Sequence, residues 1–212
     1  IVILCAYALG NVRLMMLSGI GEIYNPATGE GLVGKNYCYQ VMTSADVFFE
    51  DKYTNGFVGA GALGMCVDEY NGDNFDHGGL GFIGGGYIAN WTTNARPIET
   101  RRTPQGTPEW GAAWKKAVAE NFLTSTSVGA HGASMAHALN FLDLDPNYKD
   151  IWGRPLMRMT FDFTQNDRTM EAFLSQRVVE IAKAMGGREI NVKRREGPYD
   201  SMPYQPTHNT GG

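Results

Sequence analysis

The sequence predicts an α+β fold: the closing part of an α/β layer, then an antiparallel sheet with helices on one side. Three observations carry this. The chain opens on a β-branched apolar run, "IVILCA", that feeds directly into a short apolar helix. The stretch "LMRMTFDFT" (156–164) alternates, with Met157, Met159, Phe161 and Phe163 on one face and Arg158, Thr160 and Asp162 on the other. That is the period of a half-buried strand, and such strands pair antiparallel. Immediately after it, "NDRTMEAFLSQRVVEIAKAMGG" carries an apolar stripe at helical spacing: Met170, Phe173, Leu174, Val178, Ile181 and Met185.

Taken in order, residues 1–6 read as a buried parallel strand, because an apolar β-branched run needs partners on both faces. The chain supplies no such partners nearby, so it reads as truncated at both ends. Residues 7–17 form a helix that stops at "SGIG", where Ser18, Gly19 and Gly21 supply turn chemistry. Loop signals dominate from Tyr24 to Asn36. From Tyr37 to Ile88 the text changes to short β-rich runs with many glycines, such as "DVFFE" and "NGFVGAGALGMCV". A helix follows in "TPEWGAAWKKAVAENF", with Thr107 as N-cap, Pro108 at the first helical position and Glu109 near the positive end of the dipole. Trp110, Trp114, Val118 and Phe122 recur at helical spacing and read as core. "MAHALNFLDLD" is strand and turn. The long helix is capped by Asn166 or Asp167 and ended by Gly186 and Gly187.

With 43% hydrophobic and 19% charged residues, the composition is that of a globular protein. A net charge of -4 and a pI near 5.6 argue against a nucleic-acid partner, which calls for clustered Lys and Arg. The short basic cluster Lys193–Glu196 reads as a solvated loop. Cys5, Cys38 and Cys66 form no CxxC and have apolar or aromatic neighbours, which predicts buried thiols and no metal site.

"GLGFIG" (79–84) satisfies GxGxxG, but polar loop precedes it and no helix former follows. A glycine-rich bend is the better reading than a phosphate cradle. The Asp- and Asn-rich stretch 68–77, ending in His77, lacks the EF-hand pattern and reads as a polar turn. His131 and His137 are six apart with glycine between them, unlike the i, i+4 pair of a zinc-binding helix. His208 stands between Pro206 and the pair Gly211–Gly212, on a backbone suited to close approach. Its residues alone fit a polar chain end as well as a general base.

Several segments, in order, resemble the glucose-methanol-choline (GMC) flavoprotein oxidoreductases. "IVILCAYALGNVRLMMLSGIG" is similar to the family's second signature, and "LVGKNYCYQ" to the Gly-x-Asn segment after it. "LDLDPNYKDIWGRPLMRMTFDFTQND" resembles the substrate domain's strand pair, and "THNTGG" the start of the active-site histidine loop. The spacing runs over essentially the whole chain. Within the family the closest likeness is to flavoprotein subunits of bacterial gluconate, sorbitol and fructose dehydrogenases. Two departures stand out: Gly10–Asn11 replaces a Ser/Thr-Pro/Ser pair, and Gln40 stands where many members have histidine.

The resemblance implies a domain plan: 1–36 as the end of an FAD-binding α/β layer, 37–192 as a substrate-binding α+β domain, and 193–212 as the return to the FAD domain. It implies FAD as cofactor, with Ala6, Gly10 and Asn11 near it. His208 would accept the hydroxyl proton of a sugar, polyol or sugar acid while hydride passes to flavin N5, with Asn209 as orienting neighbour. The phosphate-binding GxGxxG would precede Ile1, and a second catalytic histidine or asparagine would follow Gly212, so this chain alone should not hold FAD stably. A small subunit, a cytochrome c subunit and quinone would take the electrons, at the periplasmic face of the bacterial inner membrane. The alternatives are an oxygen-using oxidase of the same family and a carbohydrate-binding α+β domain without chemistry.

Overall fold

The computed structural model describes residues 1, 3–54, 64–91, 102–201 and 207–212. In chain order the elements are helix α1 (Ala8–Ser18), strands β1 (Val41–Phe48), β2 (Cys66–Val67) and β3 (Gly86–Trp91), and helix α2 (Gly111–Asn121). Then come β4 (Ser125–Gly132), β5 (Phe141–Lys149), β6 (Pro155–Thr160), helix α3 (Gln165–Ala184) and β7 (Glu189–Lys193). Every pairing between these strands is antiparallel, and with the helices they make the α+β class that the alternation at 156–164 predicts. Two compact units result: Ile1–Gln40 with Ser134–Thr164 and Gly197–Gly212, and Val41–Ala133 with Gln165–Glu196. The stretch 134–164 thus groups with both chain-end segments.

In the first unit, α1 occupies almost the predicted span. It ends because Gly19 takes a left-handed conformation (φ 62), which lets the N–H groups of Gly19 and Ile20 reach the carbonyls of Met16 and Met15. This satisfies carbonyls that a helix end otherwise leaves bare. Val12 and Met16, one turn apart, bury against Val33, Tyr37, Tyr39 and Leu142. The β5–β6 hairpin supplies the other wall: Leu142 sits opposite Met159 and Leu144 opposite Met157. Met157, Met159, Phe161 and Phe163 all face this cluster, as their alternation predicts.

Two polar devices hold the hairpin in place. Asn140 and Asp162 exchange bonds, the Asn140 amide donating to the Asp162 carbonyl and accepting from the Asp162 N–H, both at 3.0 Å. Arg13 on α1 donates to the carbonyl of Pro155 and, at 2.7 Å, to Oδ2 of Asp150. The other carboxylate oxygen of Asp150 accepts the N–H groups of Trp152 and Arg154, which shapes the turn.

The predicted strand over residues 1–6 is not formed. Ile1 and Ile3 are exposed, and no described strand pairs with this segment; Val2 lies outside the described residues. A strand exists through its ladder partners, so apolar composition alone does not make one.

The second unit is a five-stranded sheet in the order β2-β3-β4-β1-β7. Helix α3 packs on β1 and β4, and Met170, Leu174, Val178 and Ala182, each four residues from the last, are buried. Asn166 and Asp167 lie inside the first turn rather than capping it. The Asn166 side chain instead bonds both the N–H and the carbonyl of Ile83. Gly186 (φ 82) ends the helix as predicted, its N–H on the Lys183 carbonyl. Residues 55–63 of the glycine-rich run lie outside the described residues.

Helix α2 begins later than its sequence signals suggest. Its first residue is Gly111, and the Thr107 hydroxyl donates to the Pro104 carbonyl instead of capping. Trp110 therefore falls off the buried stripe and is 84% exposed, while Val118 and Phe122 are buried as predicted. Of the cysteines only Cys38 is buried; Cys5 and Cys66 are exposed. Their apolar neighbours sit in the unpaired opening segment and in β2, at the end of the strand order, so local composition misleads there.

Bonds from the Arg13 guanidinium, then from the Arg154 and Trp152 amides, hold the Asp150 carboxyl below the usual carboxylate range. A depressed acid contributes stability above its unfolded pKa, about 3.9, and loses it as pH falls through the folded value. Asp150→Asn is therefore expected to lower Tm at pH 7, and the gap to wild type should narrow as the pH falls below about 3.9 and through the folded-state value. A gap that stays constant across that range would show that the carboxylate charge is not what ties α1 to the hairpin.

Candidate active site

The turn that starts α1 is built from small residues under strain. Tyr7 has φ 69 and ψ 161, a region that residues with a Cβ rarely adopt. Asn11 holds it there: its Oδ1 accepts the Ala6 N–H at 2.7 Å, while its own N–H reaches the Tyr7 carbonyl at 2.7 Å. A Cβ at Gly10 would lie 3.2 Å from the Cβ of Ala6, so the turn closes most easily with glycine. Ala6, Gly10 and Asn11 are thus brought together in this turn. Asn11, however, spends its side-chain oxygen on holding the turn. For a bound flavin, the small side chains of Ala6 and Gly10 and the first-turn amides of α1 fit main-chain approach.

The segment carrying His208 lies in the same unit. Cys38 and Thr210 exchange two backbone bonds, N–H of Cys38 to Thr210 at 2.8 Å and N–H of Thr210 to Cys38 at 3.1 Å. The Gly212 N–H reaches the Lys35 carbonyl at 3.1 Å. Gly211 has φ 73, and a Cβ there would lie 2.2 Å from the Asn36 carbonyl oxygen, so only glycine fits. Gly212 sits against Val12 and Leu142 of the core, where a Cβ would fall 2.9 and 3.0 Å from their side chains.

On this anchored segment His208 is exposed and itself has φ 64. Its Nδ1 lies 2.8 Å from the Thr207 hydroxyl. Asn209 is bonded at both ends of its amide: the Tyr37 hydroxyl donates to Oδ1, and Nδ2 donates to the Tyr7 hydroxyl. The histidine segment and the turn of Ala6, Gly10 and Asn11 are joined through that amide. Pro206, part of the expected approach, lies outside the described residues.

Tyr7 and Tyr37 are the members of this arrangement that sequence reasoning missed. Tyr37 stands in "LVGKNYCYQ", yet its partner is far away in sequence, and no local signal marks a positive φ at a tyrosine. Gln40 adds a further feature: it is buried, and its Oε1 has no hydrogen-bond partner among the described residues. An unpaired buried acceptor of this kind costs about 1–3 kcal/mol. In the register set by Cys38 and Thr210, Gln40 lies two residues along one strand and His208 two residues back on the other.

The remaining histidines and motifs are structural. His131 stacks on Tyr87 across β3 and β4, ring centroids 5.3 Å apart, and His137 accepts the Leu139 N–H in a turn. "GLGFIG" is turn and irregular chain leading into β3, with no helix after it. In the 68–77 stretch, Asp68 accepts from the side-chain amides of Asn71 and Asn74, making a closed polar turn, and His77 Nε2 contacts the Gly84 carbonyl. Among the described residues, no group of three or more His, Cys, Asp or Glu side chains is placed to hold a metal, and no helix is long and apolar enough to cross a membrane.

His208 is thus an exposed histidine on a strained, anchored segment that is joined to a small-residue helix turn. Two relatives of the chain are dehydrogenases by name. It is 46% identical to the gluconate 2-dehydrogenase flavoprotein of Pantoea cypripedii over 218 aligned residues, covering 100% of this chain and 35% of that protein. It is 26% identical to the 2-methyl-1,2-propanediol dehydrogenase of Mycolicibacterium austroafricanum over 197 residues, 90% of this chain and 34% of that one. The chain thus spans about a third of the length of these curated relatives. No family model matches it.

Gly211→Ala tests the anchoring. A left-handed alanine costs roughly 1–2 kcal/mol before the clash with Asn36 is counted. The variant is expected to melt lower and to lose amide-exchange protection at Thr210; protection equal to wild type would show that the segment is not held by this contact.

Proposed function

We propose that the chain is part of an FAD-dependent dehydrogenase of the GMC family that oxidises an alcohol carbon of a sugar, polyol or sugar acid. What supports this most is the 46% identity, over the entire chain, to a protein named as a dehydrogenase flavoprotein. The position of His208 on its strained segment adds to it. A sugar acid is the favoured substrate class within that range, since gluconate is the substrate in that relative's name.

When bound, FAD supplies the two-electron acceptor. The chain's own residues supply position and proton transfer. Ala6 and Gly10 leave room for the cofactor at the start of α1, and Asn11 keeps that turn closed. His208 takes the proton of the substrate hydroxyl. In the tautomer where Nδ1–H donates to the Thr207 hydroxyl, the Nε2 lone pair is the proton acceptor. General-base removal of the proton raises electron density on the carbinol oxygen and makes the carbon a better hydride donor. Electrons then pass to a cytochrome c subunit and quinone at the periplasmic face of the membrane.

His208→Ala in the full-length, flavin-loaded protein is expected to leave the flavin spectrum intact and lower kcat on the order of 10²–10⁴-fold. Turnover near wild type would remove His208 from the chemistry. Acceptor class is read by comparing dye reduction with peroxide release: a dehydrogenase reduces the dye and releases little peroxide, and stoichiometric peroxide would establish the oxidase instead.

A further inference from the structure

We infer that Tyr37 and Tyr7 are positioning residues for His208, acting through Asn209; this rests on His208 being the base. Asn209 has both ends of its amide committed. Its oxygen accepts from Tyr37 and its nitrogen donates to Tyr7, with a longer 3.4 Å approach to the Thr207 carbonyl. An amide engaged in this way is a strut between fixed points and does not serve as a substrate contact. That assigns Asn209 to positioning, a sharper role than orienting neighbour.

The two fixed points differ in kind. Tyr37 is fully buried, with its ring edge-on to Phe161 at 5.5 Å, so its hydroxyl is placed by the core itself. Tyr7 stands at the strained turn beside Ala6, where α1 begins, so its hydroxyl is placed by the element expected to face the cofactor. The strut therefore sets the histidine segment against both core and cofactor side. His208 needs such a hold. Its positive φ is unfavourable for a residue with a Cβ, and such conformations persist only where surrounding contacts over-determine them. On one side of His208 the hold is Asn209; two residues on, it is the Cys38–Thr210 pair and Gly211. Phenylalanine at either place would keep the ring packing and remove only the hydroxyl.

The test uses the full-length, flavin-loaded enzyme. Tyr37→Phe and Asn209→Ala are each expected to lower kcat by about 10- to 100-fold, the scale of a small misplacement of a reacting group, with KM and flavin absorbance nearly unchanged. The double variant should be no slower than Asn209→Ala, because both cut one strut. Amide exchange over residues 207–212 should rise in both, a readout independent of turnover. Adding Tyr37→Phe to His208→Ala should cost nothing further, since no base remains to be placed. A loss that persists undiminished in the His208→Ala background, or an unchanged exchange pattern, would overturn the strut. If His208→Ala is nearly inactive while Tyr37→Phe and Asn209→Ala turn over like wild type, the strut fails and the base stands. If His208→Ala itself turns over normally, the underlying reading fails, and exchange over 207–212 alone then decides whether the strut exists.

Discussion

The pair of backbone bonds between Cys38 and Thr210 is the closure on which the first unit depends. It joins segments 172 residues apart in number and does so without a long strand, so neighbouring contacts must carry the rest. They do so by steric exclusion as much as by attraction. Gly34 lies against the Leu142 carbonyl, Gly211 against the Asn36 carbonyl and Gly212 against Val12 and Leu142, each at a distance that leaves no space for a Cβ. The apolar cluster of Val12, Met16, Val33, Tyr37, Tyr39 and Leu142 draws these segments together. The glycines let the backbones come close enough for their hydrogen bonds to form.

That closure explains why strain collects where it does. Among the described non-glycine residues, Tyr7, Asn36 and His208 have positive φ, and all three lie on the segments being joined. Strained backbone at a working site is maintained by stronger contacts around it. Here those are a buried tyrosine hydroxyl, reciprocal main-chain bonds and a packed core. In the second unit the sheet is regular, and α3 seals β1 and β4 through residues one turn apart, the standard arrangement for an amphipathic helix.

Legibility in the sequence follows the range of the interaction concerned. The face of β6, the stripe of α3 and the glycine stops after α1 and α3 were readable, because each depends on residues within a few positions of one another. The burial expected of the opening strand and of Cys5 and Cys66 is not seen, because burial depends on partners that composition does not name. Trp110 was misassigned because a three-residue shift at the start of α2 rotates it out of the stripe. His208 and the small-residue turn were named from the resemblance of "THNTGG" and "IVILCAYALGNVRLMMLSGIG" to a known family, since their own residues left the role open.

By itself the sequence determined which faces of the strands and helices would be apolar and where helices stop, both of which follow from local periodicity and turn chemistry. The tertiary structure alone decided that the stretch 134–164 joins the chain-end segments, and that Asn209 stands between Tyr7 and Tyr37. The physical reason is that a hydrogen bond between residues 172 or 202 positions apart leaves no periodic trace in the chain; only folding brings its donor and acceptor within reach.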